Sequence, residues 1–508
     1  MVKKITQLLI VFVGFLSLYL LTLSHNLAAS HDSIAYINDI DSGRWFFHPH
    51  HLLYHMTCVG WLWLLRALGC NADSSLVVAS LNSIFGAASL ATIYYILKRF
   101  FYSPTSTAVS TITLIGSSYG FWYYSICVEV YIIPLFFLLL GMSFLLKQPL
   151  KVGDIVWTGL FNGVAVLYHQ SFALIGFAVL ARLYLTPKDY TLTKIKAGLL
   201  YGLSAGLVVL LGYLAVIVFN NKETSIGHIL SWLTLYAHND GSATPSGFWN
   251  LPSLHSAMKA IVGISHSIIG GQFAFTVPGF KKTFSALLPG HILDDELYLI
   301  RNSNLFTAIG LSIVTIIFFS IVLITLCRSA RDFKTIITTS KNSLIPIITW
   351  LFTFSIFFFI WDPSNLEFWI PQSVIFWLLF DRLLQYRESR YLNKTSSIRI
   401  VLPVLLVIVN FFGSIILLHS RSNDCFFVQS TALANAITPG DIIITEHQWI
   451  VEQYYKRFIN VKIYSPKDLI HGNTIDDSIK QHFCSDVLFA FSNGKTIISS
   501  FPIDSAGT

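Results

Sequence analysis

Residues Ile5–Leu23 read ITQLLIVFVGFLSLYLLTL, an apolar run without a charged side chain that follows Lys3 and Lys4. A helix that crosses the hydrocarbon core of a membrane takes about 20 such residues. Comparable runs recur along the chain between short polar connections. The 508 residues are 54% hydrophobic and only 12% charged, which is too apolar for a fold surrounded by water. We therefore expect a mainly α-helical, polytopic membrane protein.

About eleven runs are predicted to cross the membrane as helices. They are Ile5–Leu23, Leu76–Leu97, Ser106–Tyr124, Tyr131–Leu146, Ile155–Tyr168, Ser171–Leu185, Ala197–Phe219, Leu305–Leu326, Leu344–Ile360, Phe368–Phe380 and Val401–Leu418. The first run resembles a signal sequence, but no convincing cleavage site follows it, so we expect an uncleaved span.

The segment His51–Leu68 decides the sidedness, because counting it as a span would invert every later one. With this segment on the outer surface, more than half of the 33 Lys and Arg residues fall in short loops on one side. The positive-inside rule assigns that side to the cytoplasm. The N-terminus is then cytoplasmic, the C-terminus and the loops 24–75 and 220–304 are external, and a bacterial inner or plasma membrane is favoured over the endoplasmic reticulum. The net charge of +7 reflects these span ends and does not indicate a nucleic-acid partner.

The composition changes after residue 418, which divides the chain into a transmembrane domain, 1–418, and a small external α/β domain, 419–508. The predicted elements of the second domain are the strand Asp441–Thr445, the helix Trp449–Phe458, the strand Val461–Tyr464, the helix Ile475–Phe483 and the strand Val487–Phe491. Cys425 and Cys484 lie in this domain, either as a disulfide or as two free thiols.

The first external loop, Ser30–His55, reads SHDSIAYINDIDSGRWFFHPHHLLYH and concentrates ionisable side chains beside the membrane. These are Asp32, Asp39, Asp41, Arg44, His48, His50, His51 and His55. A carboxylate here could act as a general base, and cationic or imidazole groups could neutralise a departing phosphate. The alternatives are solvated loop residues or a metal site of histidines and aspartates; without HExxH-type spacing, no metal is assigned.

Three further polar groups fall on the same predicted face. Glu129 lies in FWYYSICVEVYIIP, where a carboxyl near the membrane needs a partner or a wet cavity. His169 interrupts an apolar stretch, and Asp362 and Glu367 lie in WDPSNLEFWIP. His169, Asp362 and Glu367 are predicted to line a cavity or to contact an acceptor. A tight turn with aromatic residues at the membrane surface is the alternative explanation for much of the segment that contains Asp362 and Glu367.

Taken in order, these segments resemble the GT-C class of membrane glycosyltransferases, which includes protein O-mannosyltransferases and the aminoarabinose transferase of lipid A. The resemblance covers roughly residues 5–185. It rests on Asp32 soon after the first span, on the surface segment His48–Tyr54 with its His-Pro pair, on the span Ser80–Leu97, and on Phe121–Tyr131 with Glu129.

The resemblance implies transfer of a sugar from a polyprenyl-phosphate donor to a glycan, lipid or protein acceptor. Asp32 would be the catalytic base, Glu129 would support the acceptor or metal region, and His48 would bind the donor phosphate with its neighbours His50, His51 and Arg44. No cofactor is assigned with certainty; a divalent cation, Mg²⁺ or Mn²⁺, stays open.

Two departures from the class leave details open. Many relatives have adjacent acidic residues in the first loop, where this chain has His31-Asp32-Ser33, so Asp32 could act alone or with Asp39 or Asp41. Many also have Arg at the start of the second span, where Ala79-Ser80 stand here. A transporter or flippase of an amphiphilic solute is the alternative function. The one-sided clustering of polar groups and the lack of an evident internal repeat favour the enzyme.

Overall fold

The computed structural model describes residues 2–43, 46–222, 225–234, 249, 251–391, 396–445, 449–464, 470–471, 474–475 and 477–499. Most of these residues are helical. The first group of helices comprises α1 Val2–Leu21, α2 Asp32–Ser42, α3 Tyr54–Ala67, α4 Ser74–Phe100, α5 Thr105–Ser117, α6 Tyr119–Tyr124, α7 Ile132–Leu145, α8 Val152–Tyr168, α9 Ile175–Tyr184 and α10 Lys194–Ala215.

The remaining helices are α11 Ile226–Leu233, α12 Leu254–Ile268, α13 Phe280–Leu287, α14 Asp294–Leu299, α15 Leu305–Ser329, α16 Phe333–Thr339, α17 Lys341–Trp361, α18 Ile370–Tyr391, α19 Ser396–Asn410, α20 Ile416–Leu418, α21 Cys425–Ala436, α22 Trp449–Phe458 and α23 Asp477–Ser492. Short 3₁₀ turns are Pro49–His51, Gln170–Leu174, Gln272–Thr276, Ala330–Asp332, Leu366–Trp369 and Arg421–Asn423. Short π-helical turns are Val216–Asn221 and Phe411–Ile415.

Helical segments occupy all the predicted spans. Within the described residues, five are long and apolar enough to cross a membrane: Ser74–Phe100, Lys194–Asn220, Leu305–Thr339, Lys341–Trp361 and Ser397–Leu418. Shorter apolar helices are Ile5–Leu21, Ile132–Leu145, Val152–Tyr168 and Gln170–Tyr184. The chain is therefore an integral membrane protein, and the count of eleven spans stays a prediction.

Small residues let neighbouring helices pack closely. On α8, a Cβ added at Gly163 would lie 2.7 Å from the backbone oxygen of Ala205 on α10. A Cβ at Gly159 would come within 2.9 Å of the backbone oxygen of Tyr201. Such close backbone contact is a common source of helix association where lipid replaces water.

The segment that decided the predicted sidedness contains α3. Pro49 begins a 3₁₀ turn, and His48 caps it by accepting a hydrogen bond from the backbone N–H of His50. Helix α3 packs against α2 and α4, and Trp61 donates to the backbone oxygen of Val77. The helix itself is present as expected, and its location on the membrane surface stays a prediction.

The C-terminal region contains a three-stranded parallel sheet in the order β2-β1-β5, with β1 Ile442–Ile444, β2 Lys462–Tyr464 and β5 Ile497–Ser499. The short strands β3 Ile470–His471 and β4 Thr474–Ile475 pair antiparallel. The predicted strand Val487–Phe491 is wrong, because α23 runs through it. A short apolar run fits either element, and here the helix continues to Ser492, two residues before Gly494, whose φ is +64°. All six cysteines, including Cys425 and Cys484, have free thiols.

Candidate active site

Segments that connect the long helices meet around a cavity of about 1790 Å³. Its wall includes α2, the 3₁₀ turn Pro49–His51, the segment after α8 and the turn that follows α17. Residues of α12, α13 and α14, from the long loop 220–304, also line the cavity. The cavity therefore gathers polar side chains that are hundreds of residues apart in the sequence.

Asp32 is the first residue of α2 and lines this cavity. One helical turn later, the Tyr36 hydroxyl donates a hydrogen bond of 3.2 Å to Oδ2 of Asp32, and it lies 3.3 Å from Nε2 of His51. Burial raises the pKa of Asp32, whereas the hydrogen bond from Tyr36 and the nearby His31 lower it. Asp32 is thus a carboxyl with increased proton affinity, held in a defined orientation.

His31 precedes α2 in a left-handed backbone conformation, with φ +55°. Its Nε2 lies 3.4 Å from Oδ1 of Asp295 at the beginning of α14. The pKa of His31 is raised: burial lowers it, but the hydrogen bond and charge of Asp295 outweigh that effect. Two consecutive residues therefore contribute to different parts of the cavity, Asp32 beside Tyr36 and His31 beside Asp295.

Glu367 lies in the turn between α17 and α18 and lines the same cavity. Its Oε1 accepts hydrogen bonds from the Tyr131 hydroxyl and the Asn365 amide, each at 2.9 Å, and its Oε2 accepts one of 3.1 Å from the Tyr124 hydroxyl. Burial, with a contribution from Asp32, raises the pKa of Glu367 to about 8, although the two tyrosines oppose this shift. Glu367 consequently carries a proton at neutral pH.

Glu129 and Asp362 do not line the cavity. Glu129 is fully buried in the turn between α6 and α7, where its Oε2 accepts from the backbone N–H of Val130 at 3.1 Å. Asn82 of α4 holds this turn through the backbone oxygens of Cys127 and Glu129, at 2.8 and 2.6 Å. Burial and the charges of Asp32 and Glu367 raise the pKa of Glu129 well above its ordinary value. Glu129 is therefore buried beside the cavity, close enough to interact electrostatically with Asp32 and Glu367.

Four of the predicted histidines form a connected group on the cavity wall: His48, His50, His51 and His169. The rings of His48 and His51 stack with centroids 5.2 Å apart, and His169 lies 5.0 Å from His51 and 4.9 Å from Tyr131. Burial, reinforced by neighbouring imidazoles, lowers the pKa of His48 and His169 to about 3. Burial likewise lowers the pKa of His50 to about 4.

This histidine group is uncharged at neutral pH, so its N–H groups act as neutral hydrogen-bond donors. A bound anion would raise the pKa of these histidines again in part, because a nearby negative charge stabilises imidazolium. Arg44, the remaining predicted phosphate ligand, lies outside the described residues. Among the described residues that line the cavity, none is Lys or Arg.

The structure adds residues that the sequence reasoning did not select. Tyr36 could have been found from its i, i+4 spacing to Asp32, since such residues share a helix face. Tyr124 and Tyr131 flank Glu129 in the sequence, yet their hydroxyls bind Glu367. Glu296, whose pKa burial raises to about 7, comes from the long loop and had no sequence signal.

A divalent cation does not fit the described side chains in their present arrangement. Among the described residues, no group of three or more His, Cys, Asp and Glu residues has the geometry of a metal site. The cavity carboxyls Asp32 and Glu367 instead accept hydrogen bonds from tyrosine hydroxyls. The cation stays a prediction, and no chemical step below depends on it.

The fold of the chain is similar to that of solved membrane glycosyltransferases. ArnT from Cupriavidus metallidurans, the lipid A aminoarabinose transferase, superposes with a TM-score of 0.55 in its apo state, covering 97% of this chain and 89% of ArnT. Its structure bound to undecaprenyl phosphate gives a TM-score of 0.51, covering 98% of this chain and 89% of that one. Sequence identity is 11% in both superpositions.

An oligosaccharyltransferase from Archaeoglobus fulgidus, solved in complex with Zn and sulfate, gives a TM-score of 0.47 at 15% identity, covering 91% of this chain and 62% of that chain. No protein-family model and no curated protein sequence matches the chain. The ArnT superpositions show that the chain has this fold. At the level of the fold, they confirm the resemblance that the sequence indicated.

Proposed function

We propose that this protein is a membrane glycosyltransferase that moves a sugar from a polyprenyl-phosphate donor to a glycan, lipid or protein acceptor on the non-cytoplasmic face. The GT-C fold supports the class of reaction, and the undecaprenyl phosphate bound by ArnT supports the class of lipid. The observation that carries the proposal is the placement of Asp32, Tyr36 and His51 in hydrogen-bonding range on one cavity wall.

In the proposed reaction, Asp32 takes the proton of an acceptor hydroxyl. The acceptor oxygen then forms a new bond to the anomeric carbon of the sugar. The bond from that carbon to the phosphate oxygen breaks, and the polyprenyl phosphate leaves with the electron pair. Asp32 later returns its proton to solvent or to the leaving phosphate.

The neighbouring carboxyls favour this assignment of the base. Three carboxyls in one poorly solvated region cannot all be ionised without severe repulsion. Burial raises the pKa of both Glu367 and Glu129, which favours the protonated form of each. Asp32 accepts the Tyr36 hydrogen bond and lies near His31, both of which favour its carboxylate form. Asp32 is therefore the member of the three best suited to accept a proton.

The histidine group formed by His48, His50, His51 and His169 is the proposed binding site for the donor phosphate. Neutral imidazole N–H groups can hydrogen-bond to phosphate oxygens, and the arriving charge would favour their protonation. A group that becomes imidazolium as negative charge builds on the leaving phosphate would stabilise the transition state. The isoprenoid tail would extend between helices into the membrane.

The test is a transfer assay with purified protein and radiolabelled polyprenyl-phosphate sugars, with membranes from cells containing or lacking the protein as acceptor source. We expect label to move to lipid, glycan or protein, and Asp32→Asn to lower turnover about 10²- to 10⁴-fold. Asp154→Asn is the matched control. Asp154 is also buried, but it does not line the cavity, and it forms an ion pair of 2.8 Å with Lys147.

Absence of transfer from every donor would contradict the enzyme proposal. Movement of intact donor across a vesicle membrane without transfer would instead support the transporter alternative. Near-normal turnover of Asp32→Asn, with active wild-type protein, would refute only the assignment of the base. Labelling of Lys281→Cys, an exposed position in the loop 220–304, from the cytoplasmic side would refute the proposed sidedness.

A further inference from the structure

Helix α22 of the C-terminal region packs directly on α2, the helix that begins with Asp32. Asn38 of α2 donates hydrogen bonds to the backbone oxygen and side-chain oxygen of Gln453, at 2.9 and 3.0 Å. Arg457 donates to Oδ2 of Asp41 at 2.8 Å. The two helices are therefore joined by specific polar contacts over about one turn of each.

The contact at Asp41 is also tied to the start of α4. Ser74 donates to the same Asp41 oxygen at 2.7 Å and accepts from Arg457 at 3.1 Å. The Arg457 side chain is only 15% exposed, so its pairing is more shielded from water than a typical surface ion pair. Arg457 thus connects the C-terminal region, α2 and α4 at one point.

The C-terminal region also contacts the segment just before α2. Asp424, which is 1% exposed, accepts hydrogen bonds from the backbone N–H of Leu27 at 2.9 Å and from the Tyr454 hydroxyl at 2.6 Å. Tyr454 belongs to α22 and is fully buried. Contacts to the C-terminal region therefore restrain the chain on both sides of Asp32, at Leu27 and at Asp41.

The geometry of α2 connects these contacts to the cavity. Asp41 follows Asp32 by nine residues, or about two and a half helical turns, which places the two side chains on opposite faces. A rotation of α2 released at Asp41 would therefore move Asp32 relative to the cavity. At the other end of the contact, Trp449 in the first turn of α22 lines the cavity itself.

We propose that α22 is a component of the active site: Arg457 and Gln453 position α2 so that Asp32 faces the substrate, and Trp449 forms part of the cavity wall. This inference rests on the proposed function for its catalytic part. Arg457 is a positioning residue, because it acts on the reaction through α2.

The test uses the full-length protein in detergent and compares Arg457→Gln with Lys462→Gln. Lys462 is the matched control, because its partner Asp486 lies within the C-terminal region, at 2.6 Å. Hydrogen exchange of the backbone amides in 32–42 is measured first, since it requires no substrate. We expect Arg457→Gln to accelerate exchange in this segment several-fold, Lys462→Gln to leave it unchanged, and Arg457→Lys to restore part of the protection.

Transfer kinetics provide the second measurement. We expect Arg457→Gln to lower kcat about tenfold or more with little change in KM for the donor, because small displacements of a reacting group can cost up to about 10²-fold in rate. Trp449→Ala should leave exchange in 32–42 unchanged and raise KM for one substrate about threefold or more. Should Arg457→Gln fail to fold, Asn38→Ala removes the contacts to Gln453 and the longer hydrogen bond of 3.5 Å from Arg457 to Asn38, and it should give the same changes to a smaller degree.

Unchanged exchange in 32–42 for both Arg457→Gln and Asn38→Ala would overturn the positioning role. Faster exchange in Arg457→Gln with an unaltered kcat would show that α22 holds α2 but that this contact does not affect catalysis. Unaltered kinetics of Trp449→Ala would show that Trp449 does not contact a substrate. Lack of transfer by wild-type protein would count against the proposed function, while the exchange result would still decide whether α22 fixes α2.

Discussion

Glu367→Gln should make the stability of the protein less sensitive to a rise in pH between about 4.5 and 8. In the folded chain the pKa of Glu367 is about 8, compared with 4.5 for an ordinary glutamic acid, chiefly because of burial. The folded state therefore keeps this proton between those two pH values, whereas the unfolded chain releases it. The contribution of the buried protonated group is complete below pH 4.5 and is lost as pH rises through 8.

The size of the effect follows from the two pKa values. Each tenfold difference in proton affinity corresponds to about 1.4 kcal/mol, so the difference between about 8 and 4.5 amounts to about 5 kcal/mol of stability across the window. Glutamine is neutral at every pH and retains an acceptor for Tyr131. Its amide nitrogen can donate to the Tyr124 hydroxyl, which limits the loss at pH 6 to about 1 kcal/mol.

The assay is thermal unfolding in detergent over the window from pH 4.5 to pH 8, followed by tryptophan fluorescence. We expect the melting temperature of the wild type to fall over this range and that of Glu367→Gln to fall clearly less. Glu452→Gln is the control, because Glu452 is also buried but forms an ion pair with Lys456 outside the cavity. Parallel curves for wild type and Glu367→Gln would refute the assignment of a retained proton to this carboxyl.

Three further outcomes are expected. Tyr36→Phe removes the hydrogen bond that lowers the pKa of Asp32, so the acidic limb of kcat/KM should shift to higher pH; an unshifted limb would separate Asp32 from the rate-controlling base. His169→Ala should raise KM for the donor about tenfold with a smaller change in kcat, since a lost hydrogen bond to a charged group is worth about 1.5–3 kcal/mol; an unchanged KM would place the phosphate elsewhere. Gly263→Ala should lower the melting temperature, because its Cβ would lie 2.4 Å from the Pro363 oxygen and 2.6 Å from Nε1 of Trp369, an overlap that costs about 1–3 kcal/mol. Gly310→Ala, with no heavy atom within 4 Å of the added Cβ, is its control and should be neutral or mildly stabilising; equal losses in both would contradict the steric explanation.

The helical membrane architecture could be predicted because it depends on a local property. A run of apolar residues such as Ile5–Leu23 must satisfy its backbone hydrogen bonds internally in lipid, and a helix does so without distant partners. The same locality made the helix Trp449–Phe458 predictable to the residue. The strand predicted at Val487–Phe491 failed because a short apolar segment has no period that distinguishes strand from helix.

The candidate site was predictable only as a set of residues. Asp32, His51, His169 and Glu367 were selected separately from polar positions in apolar surroundings, and the structure brings all four to one cavity. The sequence did not indicate how deeply each carboxyl is buried. It therefore did not distinguish Glu129, which is fully buried and does not line the cavity, from Glu367, which does. Nor did it indicate that the histidines are uncharged, because their charge depends on how much water the assembled wall excludes.

The amino-acid sequence by itself determined a chain of lipid-soluble helices and the chemical groups available between them, since apolar run length and side-chain type are local properties. Only the tertiary structure decided which groups share the cavity, which carboxyls have a raised pKa, and that Arg457 reaches Asp41 across more than 400 residues of chain. Those outcomes depend on packing between distant segments, because burial and hydrogen-bond geometry arise only when the helices meet.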